Sequence, residues 1–316
     1  MKNLAYIKRE NPAEASSNFE ALRASWLRYI DVRPTTARNY DNAIKYFIEW
    51  THKEEITTPT RDDVISYRDF LLEEKSAGTA QAYITALKIF FAWVEDMGGG
   101  LNIARRVKTP TPNRNQHKKG YLTEEQAAHL IASIDGSTLK DLRDRAIILL
   151  MVTTGVRDIE VSRATIGSMQ YIAGKRVLYV HGKGKDDASD FVKLTRLTAD
   201  AIEDYLTARG EVSESAPLFA SLSNNNNGGH MTTRAISGAV NERLKRAGLY
   251  SATITAHSLR HTAATIALRN GAELMEVKQL LRHANVNTTL IYVHELEREK
   301  NRSEEIIAEA IAGATA

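Results

Sequence analysis

Apolar residues recur at three- and four-residue spacing through the first hundred residues, which is the spacing of the buried face of an α-helix. Ile44 and Ile48 illustrate it. Pro34 and Pro59, each followed by threonine, are typical of helix starts, and a run of three glycines ends the last such segment. We therefore predict four helices in residues 1–100, forming an all-α domain with a binding role.

From residue 121 onward the pattern predicts a mixed domain. The segment Thr-Glu-Glu-Gln at 123–126 is typical of a helix-capping box, and a second apolar helix is predicted from Leu139 to Thr154. Helical patterns resume near Thr198 and continue to the end. Between them, short alternating segments predict a small antiparallel sheet with strands at Met169–Ile172, Arg176–His181 and Phe191–Leu194.

Residues 101–120 separate these two regions and concentrate positive charge. The whole chain has a formal net charge of only +3, and the flanking regions each carry slightly more acidic than basic residues. The segment has no acidic residue, and its basic residues are Arg105, Arg106, Lys108, Arg114, Lys118 and Lys119. We predict an extended linker, either a solvated tether or a strap whose six cations bind DNA phosphates, and we favour the strap.

Cysteine is absent, which excludes disulfides, thiolate metal ligands and cysteine nucleophiles. The N-terminus lacks the apolar core of a signal peptide, and no run of about 18 apolar residues follows. We therefore expect a cytoplasmic protein with no membrane partner.

Two segments place basic side chains where they could hold an anion. In the segment Thr-Gly-Val-Arg-Asp-Ile-Glu-Val, one helix ends and another begins, and Arg157 and Glu160 are spaced to form an ion pair. At the start of a later helix, His257, Arg260 and His261 can face one side near a helix N-terminus, which attracts phosphate. Either segment alone is compatible with a structural role.

A third segment contains His283 and, nine residues later, Tyr292, one of twelve tyrosines in the chain. On one continuous helix, nine residues would turn the two side chains about 180° apart and separate them by roughly 13 Å. The intervening stretch Asn285–Thr289 is rich in turn and cap residues. We therefore predict a break in the helix that brings the two side chains together.

Taken together, in this order and spacing, the segments resemble the catalytic signature of the tyrosine recombinases, the family of lambda-type integrases and Xer recombinases. The sequence departs from the family at Arg282, where a glycine usually precedes the histidine. Lys185 is the near alternative to Lys183, the lysine in His-Gly-Lys-Gly-Lys. The residues that match the family's catalytic set are Arg157, Lys183, His257, Arg260, His283 and Tyr292.

The resemblance implies the fold and the domain organisation. Residues 1–100 would form a SAM-like helical domain that binds the core DNA site. Residues 121–316 would form a mainly α catalytic domain with the small sheet, the fold of DNA breaking–rejoining enzymes. The basic segment 101–120 would link them.

The resemblance also implies a reaction and partners. Tyr292 would attack a DNA phosphate and form a 3′-phosphotyrosine bond, with no metal, ATP or other cofactor. The expected partners are double-stranded DNA with specific recombination sites and a homotetramer assembled on that DNA. The biological task stays open between integration or excision of a mobile element and Xer-type dimer resolution.

Other interpretations also stay open at this point. A type IB topoisomerase shares the chemistry without site specificity, and a DNA-binding regulator could use the same fold with a silent site. Metal-dependent cleavage would need ligands, and the acidic group Asp186, Asp187 and Asp190 fits a hairpin turn better. The last helix could cap its own domain or insert into a neighbouring protomer through its apolar residues Ile306, Ile307, Ala310 and Ile311.

Overall fold

The protein is described here by a computed structural model, which covers residues 12–112, 120–182 and 190–314. The chain divides into two compact units, Met1–Arg114 and Asn115–Ala316. The division falls inside the basic segment. Some residues singled out from the sequence lie outside the described ranges, namely Arg114, Lys118, Lys119, Lys183, Lys185, Asp186 and Asp187.

Four helices build the described part of the first unit, which confirms the all-α prediction. Thr60 caps one of them by accepting a hydrogen bond from the backbone N–H of Asp63. Aromatic rings fill the core, where Trp26 and Phe90 are fully buried and meet edge to face at 5.3 Å. The helices are α1 (Pro12–Tyr29), α2 (Pro34–Lys53), α3 (Arg61–Glu74) and α4 (Ala77–Asp96).

The first part of the basic segment packs against this helical unit. Ala104 and Val107 are buried in the helical core, and Arg105 pairs with Glu95 at 2.9 Å. This course differs from the extended strap predicted from the sequence, because the apolar side chains of Ala104 and Val107, next to the cations, gain free energy by leaving water. The other two basic residues of this part are exposed, namely Arg106 and Lys108.

The second unit is mainly helical with one small sheet, as predicted. The strands β1 (Met169–Ile172), β2 (Lys175–Val180) and β3 (Asp190–Lys193) pair antiparallel in that order. No described helix combines the length and the apolar character that a membrane span requires. The helices are α5 (Glu124–Ala132), α6 (Leu139–Thr154), α7 (Asp158–Arg163), α8 (Arg196–Arg209), α9 (Thr233–Arg246), α10 (Ser258–Arg269), α11 (Leu274–Leu281), α12 (Asn287–Lys300) and α13 (Ser303–Ala314).

Helix α6 is the central helix of this unit and has the bounds that the sequence predicted. Residues 147–151 are all fully buried, and the helix packs against α8 and α10. A helix that is apolar around its circumference is stable only when other elements enclose it. This packing holds the C-terminal end of α6 in place relative to α8 and α10. The residues that follow its C-terminal end belong to the candidate site.

The last helix, α13, carries its apolar stripe on the outside. Ile306, Ile307 and Ile311 are 59 %, 59 % and 62 % exposed. These three side chains are therefore mostly solvent-accessible in the described part of the chain.

Candidate active site

A sharp turn after α6 sets the position of Arg157. Gly155 ends the helix in the left-handed region, with φ at +61°. A Cβ atom at this position would lie 2.7 Å from Cδ2 of Leu281, so a larger residue would meet both backbone strain and a clash. The turn then places Arg157 at the residue before α7. The predicted helix end and helix start are both confirmed.

The carboxylate of Glu160 is the electrostatic anchor of the site. This side chain is 1 % exposed and accepts hydrogen bonds from the backbone N–H of Arg157 at 2.7 Å and from its Nη1 at 3.1 Å. It also accepts from Nη2 of Arg282 at 2.6 Å. The predicted pair between Arg157 and Glu160 is therefore present, and a second arginine shares the same carboxylate. One buried anion thus orients two guanidinium groups.

Arg282 occupies the position at which the sequence departs from the family pattern. Its backbone is left-handed, with φ 53° and ψ 44°, a conformation that favours glycine and costs other residues about 1 kcal/mol. The side chain recovers part of this cost through Glu160 and through a hydrogen bond to the carbonyl of Leu280 at 2.8 Å. Its buried Nε has no hydrogen-bond partner among the described residues.

Arg260 ties three elements of the site together. Its side chain is buried, and its two terminal nitrogens donate to the carbonyls of Gly155, after α6, and of Leu281, at the end of α11. Burial, and then the charges of Arg157 and Arg282, lower the pKa of Arg260 to about 9. The guanidinium therefore still carries its charge at neutral pH.

His283 follows α11 and lies next to this arginine group. Its Nδ1 is 2.9 Å from Oγ1 of Thr289, which is fully buried at the start of α12. Burial, followed by the charges of Arg260, Arg157 and Arg282, lowers the pKa of His283 from 6.5 to about 4. The imidazole is therefore neutral at neutral pH.

The predicted helix break is present, but it lies at residues 282–286, slightly before the stretch Asn285–Thr289 that predicted it, and Tyr292 lies on α12 beyond it. Its side chain is 4 % exposed, and its hydroxyl is 2.6 Å from Nδ1 of His261. The rings of His261 and His257 meet edge to face at 5.0 Å. The Tyr292 hydroxyl is thus hydrogen-bonded to His261, which lies beside His257 of the predicted catalytic set.

A cavity of about 680 Å³ opens beside these residues. Its described walls carry more cationic than anionic groups. Neither Arg260 nor Tyr292 is among its lining residues within the described part of the chain. The cavity is lined by Arg157, Glu160, Gly182, Asp190, Phe191, Lys278, Gln279, Arg282, His283 and Ala284.

Five of the six predicted catalytic residues lie in the described ranges, and their surroundings are now defined. Beyond the effect of burial, the charge of Arg157 lowers the pKa of both Arg260 and His283, the charge of Arg260 lowers the pKa of His283, and Tyr292 raises that of Arg260, so that these side chains lie close together. Lys183 lies outside the described residues. Sequence reasoning placed His261 in an anion-binding group without a role. Its position directly after Arg260 and four residues after His257 was the available signal.

Comparison with known families identifies the class. The model of the phage integrase family matches residues 120–299, and the model of the phage integrase N-terminal SAM-like domain matches residues 19–97. The first match alone covers more than half of the chain. The chain therefore belongs to the phage integrase family and is a tyrosine recombinase, an enzyme class that cleaves and rejoins DNA.

Curated relatives and solved structures agree with this assignment. The tyrosine recombinase XerD of Listeria monocytogenes serotype 4b (strain F2365) is 28 % identical, over 82 % of this chain and 87 % of the relative. The tyrosine recombinase XerC of Leptospira interrogans serogroup Icterohaemorrhagiae serovar copenhageni (strain Fiocruz L1-130) is also 28 % identical, over 89 % and 91 %.

The fold is that of known recombinases. The XerH site-specific recombinase bound to palindromic difH substrate, in a post-cleavage complex, superposes with a TM-score of 0.71 at 20 % identity, covering 96 % of this chain and 91 % of that one. The Tn1549 transposon integrase in complex with circular intermediate DNA gives a TM-score of 0.66 at 18 % identity, covering 87 % and 94 %. Both predicted fold elements, the SAM-like helical domain and the mixed catalytic domain, are confirmed.

Proposed function

We propose that this protein is a site-specific recombinase that cuts DNA strands through a covalent 3′-phosphotyrosine bond at Tyr292 and rejoins them in a new combination. One observation carries the proposal. Arg260 joins the turn after α6 to the end of α11, which gathers two arginines and His283 beside one cavity, with Tyr292 on the following helix.

In the proposed cleavage step, the Tyr292 oxygen bonds to phosphorus and the bond to the 5′ oxygen breaks. The nonbridging oxygens are held by Arg157, which lines the cavity, and by Arg260, whose two terminal nitrogens each keep one N–H beyond those donated to the carbonyls of Gly155 and Leu281. These charge-assisted hydrogen bonds strengthen as negative charge grows in the transition state. We assign neutral His283 the tautomer in which Nδ1 accepts from the Thr289 hydroxyl 2.9 Å away, so that the proton on Nε2 is donated in a hydrogen bond to the phosphate.

In this proposal, a lysine and a histidine carry out the proton transfers at the departing 5′ oxygen and at the nucleophile or the phosphate. Lys183 protonates the departing 5′ oxygen, with Lys185 as the alternative, and His257 assists proton transfer at the nucleophile or the phosphate. The covalent intermediate keeps the free energy of the broken bond, so that rejoining needs neither ATP nor a metal ion. Because the substrate is the cell's DNA, we place the reaction in the cytoplasm.

A nicked suicide duplex tests the proposal, because its short cleaved fragment diffuses away and the intermediate accumulates. We expect the wild-type protein to form a denaturation-resistant adduct on the 3′ side of the break, on duplexes taken from the DNA that flanks its gene. Peptide mapping should locate the DNA on α12. Specific binding without any adduct would instead support a regulator. Relaxation of supercoiled DNA lacking the site would support a topoisomerase.

The same experiment bears on the biological task. Integration or excision requires sites at the ends of a mobile element, whereas dimer resolution requires a site carried once on each circular molecule. Sequencing the duplexes recovered in adducts therefore separates the two tasks.

For the basic segment we propose phosphate contacts by Arg106 and Lys108 among its described residues. Replacing both by alanine should reduce the magnitude of the slope of log K against log salt concentration by about 2, since each phosphate contact contributes about 0.9. Fluorescence anisotropy at several salt concentrations measures this slope. Arg105→Ala is the matched control and should change the slope less, because Glu95 already pairs with this side chain. An unchanged slope in the double variant would refute the contacts.

For the tetramer we propose that α13 inserts its apolar stripe into a neighbouring protomer on DNA. The exposure of Ile306 and Ile307 supports an intermolecular contact, because a stripe of this kind is stabilised only when another surface covers it. Ile307→Asp should reduce assembly on two-site DNA while single-site binding persists, as measured by analytical ultracentrifugation. Arg302→Asp, just before the same helix, is the control for added negative charge. Full assembly of Ile307→Asp would exclude this contact.

A further inference from the structure

The hydroxyl of the proposed nucleophile is held by a residue outside the family's catalytic set. The 2.6 Å hydrogen bond between Tyr292 and Nδ1 of His261 lies between two buried side chains, 4 % and 8 % exposed. Their rings also touch, with centroids 5.5 Å apart. A buried hydroxyl gains from such a partner, because losing it would leave a polar group unsatisfied away from water.

His261 is the fixed member of this pair. It lies in the first turn of α10, between Arg260 and Thr262. Arg260 is bonded to two backbone carbonyls, and the hydroxyl of Thr262 accepts a hydrogen bond from the backbone N–H of Leu122 at 2.9 Å. The turn that carries His261 is therefore anchored on both sides of it.

Tyr292 is the member that has to move. A phosphate would be bound in the cavity beside Arg157 and His283, whereas the Tyr292 hydroxyl is hydrogen-bonded to His261 and the residue is only 4 % exposed, so that DNA cannot reach it in this position. Helix α12 follows a short connection after α11, at residues 282–286, so that a shift of α12 can bring the hydroxyl to the cavity. In-line attack on a phosphate in the cavity therefore requires the hydrogen bond to His261 to break.

We propose that His261 is a positioning residue for the nucleophile: it stores the Tyr292 hydroxyl outside the phosphate cavity until DNA binding draws the tyrosine in. The inference rests on the proposed role of Tyr292. A hydrogen bond of ordinary net strength biases such a two-position equilibrium about 2- to 10-fold. His261 thus sets the rate at which the site becomes competent and takes no part in the chemical step.

Three substitutions of His261 separate storage from other roles. His261→Ala removes the acceptor, His261→Phe removes it but keeps a ring against His257, and His261→Asn places an amide oxygen near the position of Nδ1. The chain is labelled with 3-fluorotyrosine, and the Tyr292 resonance is identified by its loss in Tyr292→Phe. The solvent isotope shift of this resonance, measured without DNA, reports how exposed the hydroxyl is.

We expect the isotope shift to rise in His261→Ala and His261→Phe and to stay close to the wild-type value in His261→Asn. In single-turnover cleavage of the suicide duplex, the first two variants should be about 2- to 10-fold faster than wild type, and His261→Asn should lose this acceleration. Thermal unfolding of each variant shows whether it is folded. Because both His261→Ala and His261→Phe lack the acceptor, the test can still be made if one of them does not fold.

Two results would overturn the inference. One is an unchanged isotope shift in a folded His261→Ala protein. The other is slower cleavage by both His261→Ala and His261→Asn at unchanged DNA affinity, which would make His261 the acceptor of the tyrosine proton. Failure of the proposed nucleophile gives a different result: Tyr292→Phe would still form the adduct, while the DNA-free isotope shift would still report the contact.

Discussion

Tyr292→Phe is expected to reduce covalent adduct formation by at least about 10⁴-fold, because the substitution removes the only atom that could bond to phosphorus from this side chain. DNA affinity should change little, since the hydroxyl is buried and 4 % of the side chain is exposed. The variant loses the hydrogen bond to His261, which costs about 1 kcal/mol of stability. Adducts on the suicide duplex and DNA binding are measured in parallel.

Tyr121→Phe is the matched control for this substitution. Tyr121 also has a hydroxyl in a hydrogen bond, which it accepts from Nη2 of Arg269 at 2.8 Å, at the end of α10 that lies away from Arg260. The same chemical change there should leave adduct formation near the wild-type level. If Tyr292→Phe formed the adduct with wild-type yield, the nucleophile would have to be a residue other than Tyr292.

The sequence allowed much of the site to be predicted, because its signals are local. Gly155 before Arg157 marks a helix end, and the polar stretch before Tyr292 marks a helix start. Both follow from cap and turn chemistry within a few residues. The helix bounds at α6 and the break between α11 and α12 agree with these predictions.

What could not be predicted depends on contacts between distant parts of the chain. Arg260 donates to the carbonyl of Gly155, 105 residues away, whereas the sequence indicated only that Arg260 belongs to an anion-binding group. The partner of Tyr292 is 31 residues away on another helix. Spacing within one segment says which side chains share a face, and packing between segments decides which of them meet.

Arg282 shows how a departure from a family pattern can be understood only with the structure. A glycine at this position is explained by the left-handed backbone, which the structure confirms at φ 53°. Arg282 adopts this unfavourable backbone conformation and adds a third guanidinium beside Arg157 and Arg260. Its side chain is stabilised because it binds the carboxylate oxygen of Glu160 that the Arg157 guanidinium does not use. Glu160 therefore orients two arginine side chains of the site, Arg157 and Arg282.

Glu160→Gln is accordingly expected to destabilise the protein strongly. The neutral amide would leave two guanidinium groups without their counter-ion, in a place where the replaced side chain is 1 % exposed and that of Arg282 is 9 % exposed. Removing one partner of a buried ion pair costs about 3–5 kcal/mol. Chemical denaturation measures this loss. Cleavage should also fall by about 10²-fold, because Arg157 loses the group that orients it.

Glu242→Gln provides the control, because Glu242 also pairs with two cations but does so at the surface. It lies 2.9 Å from Lys140 and 2.6 Å from Arg246, with 39 % of its side chain exposed. Solvent screens these pairs, so that the loss should be at most about 1 kcal/mol, with cleavage unaffected. Similar losses in the two variants would mean that the carboxylate of Glu160 does not act as a buried anchor. The difference in unfolding free energy between the two variants measures how much burial strengthens the ion pairs of a carboxylate shared by two cations.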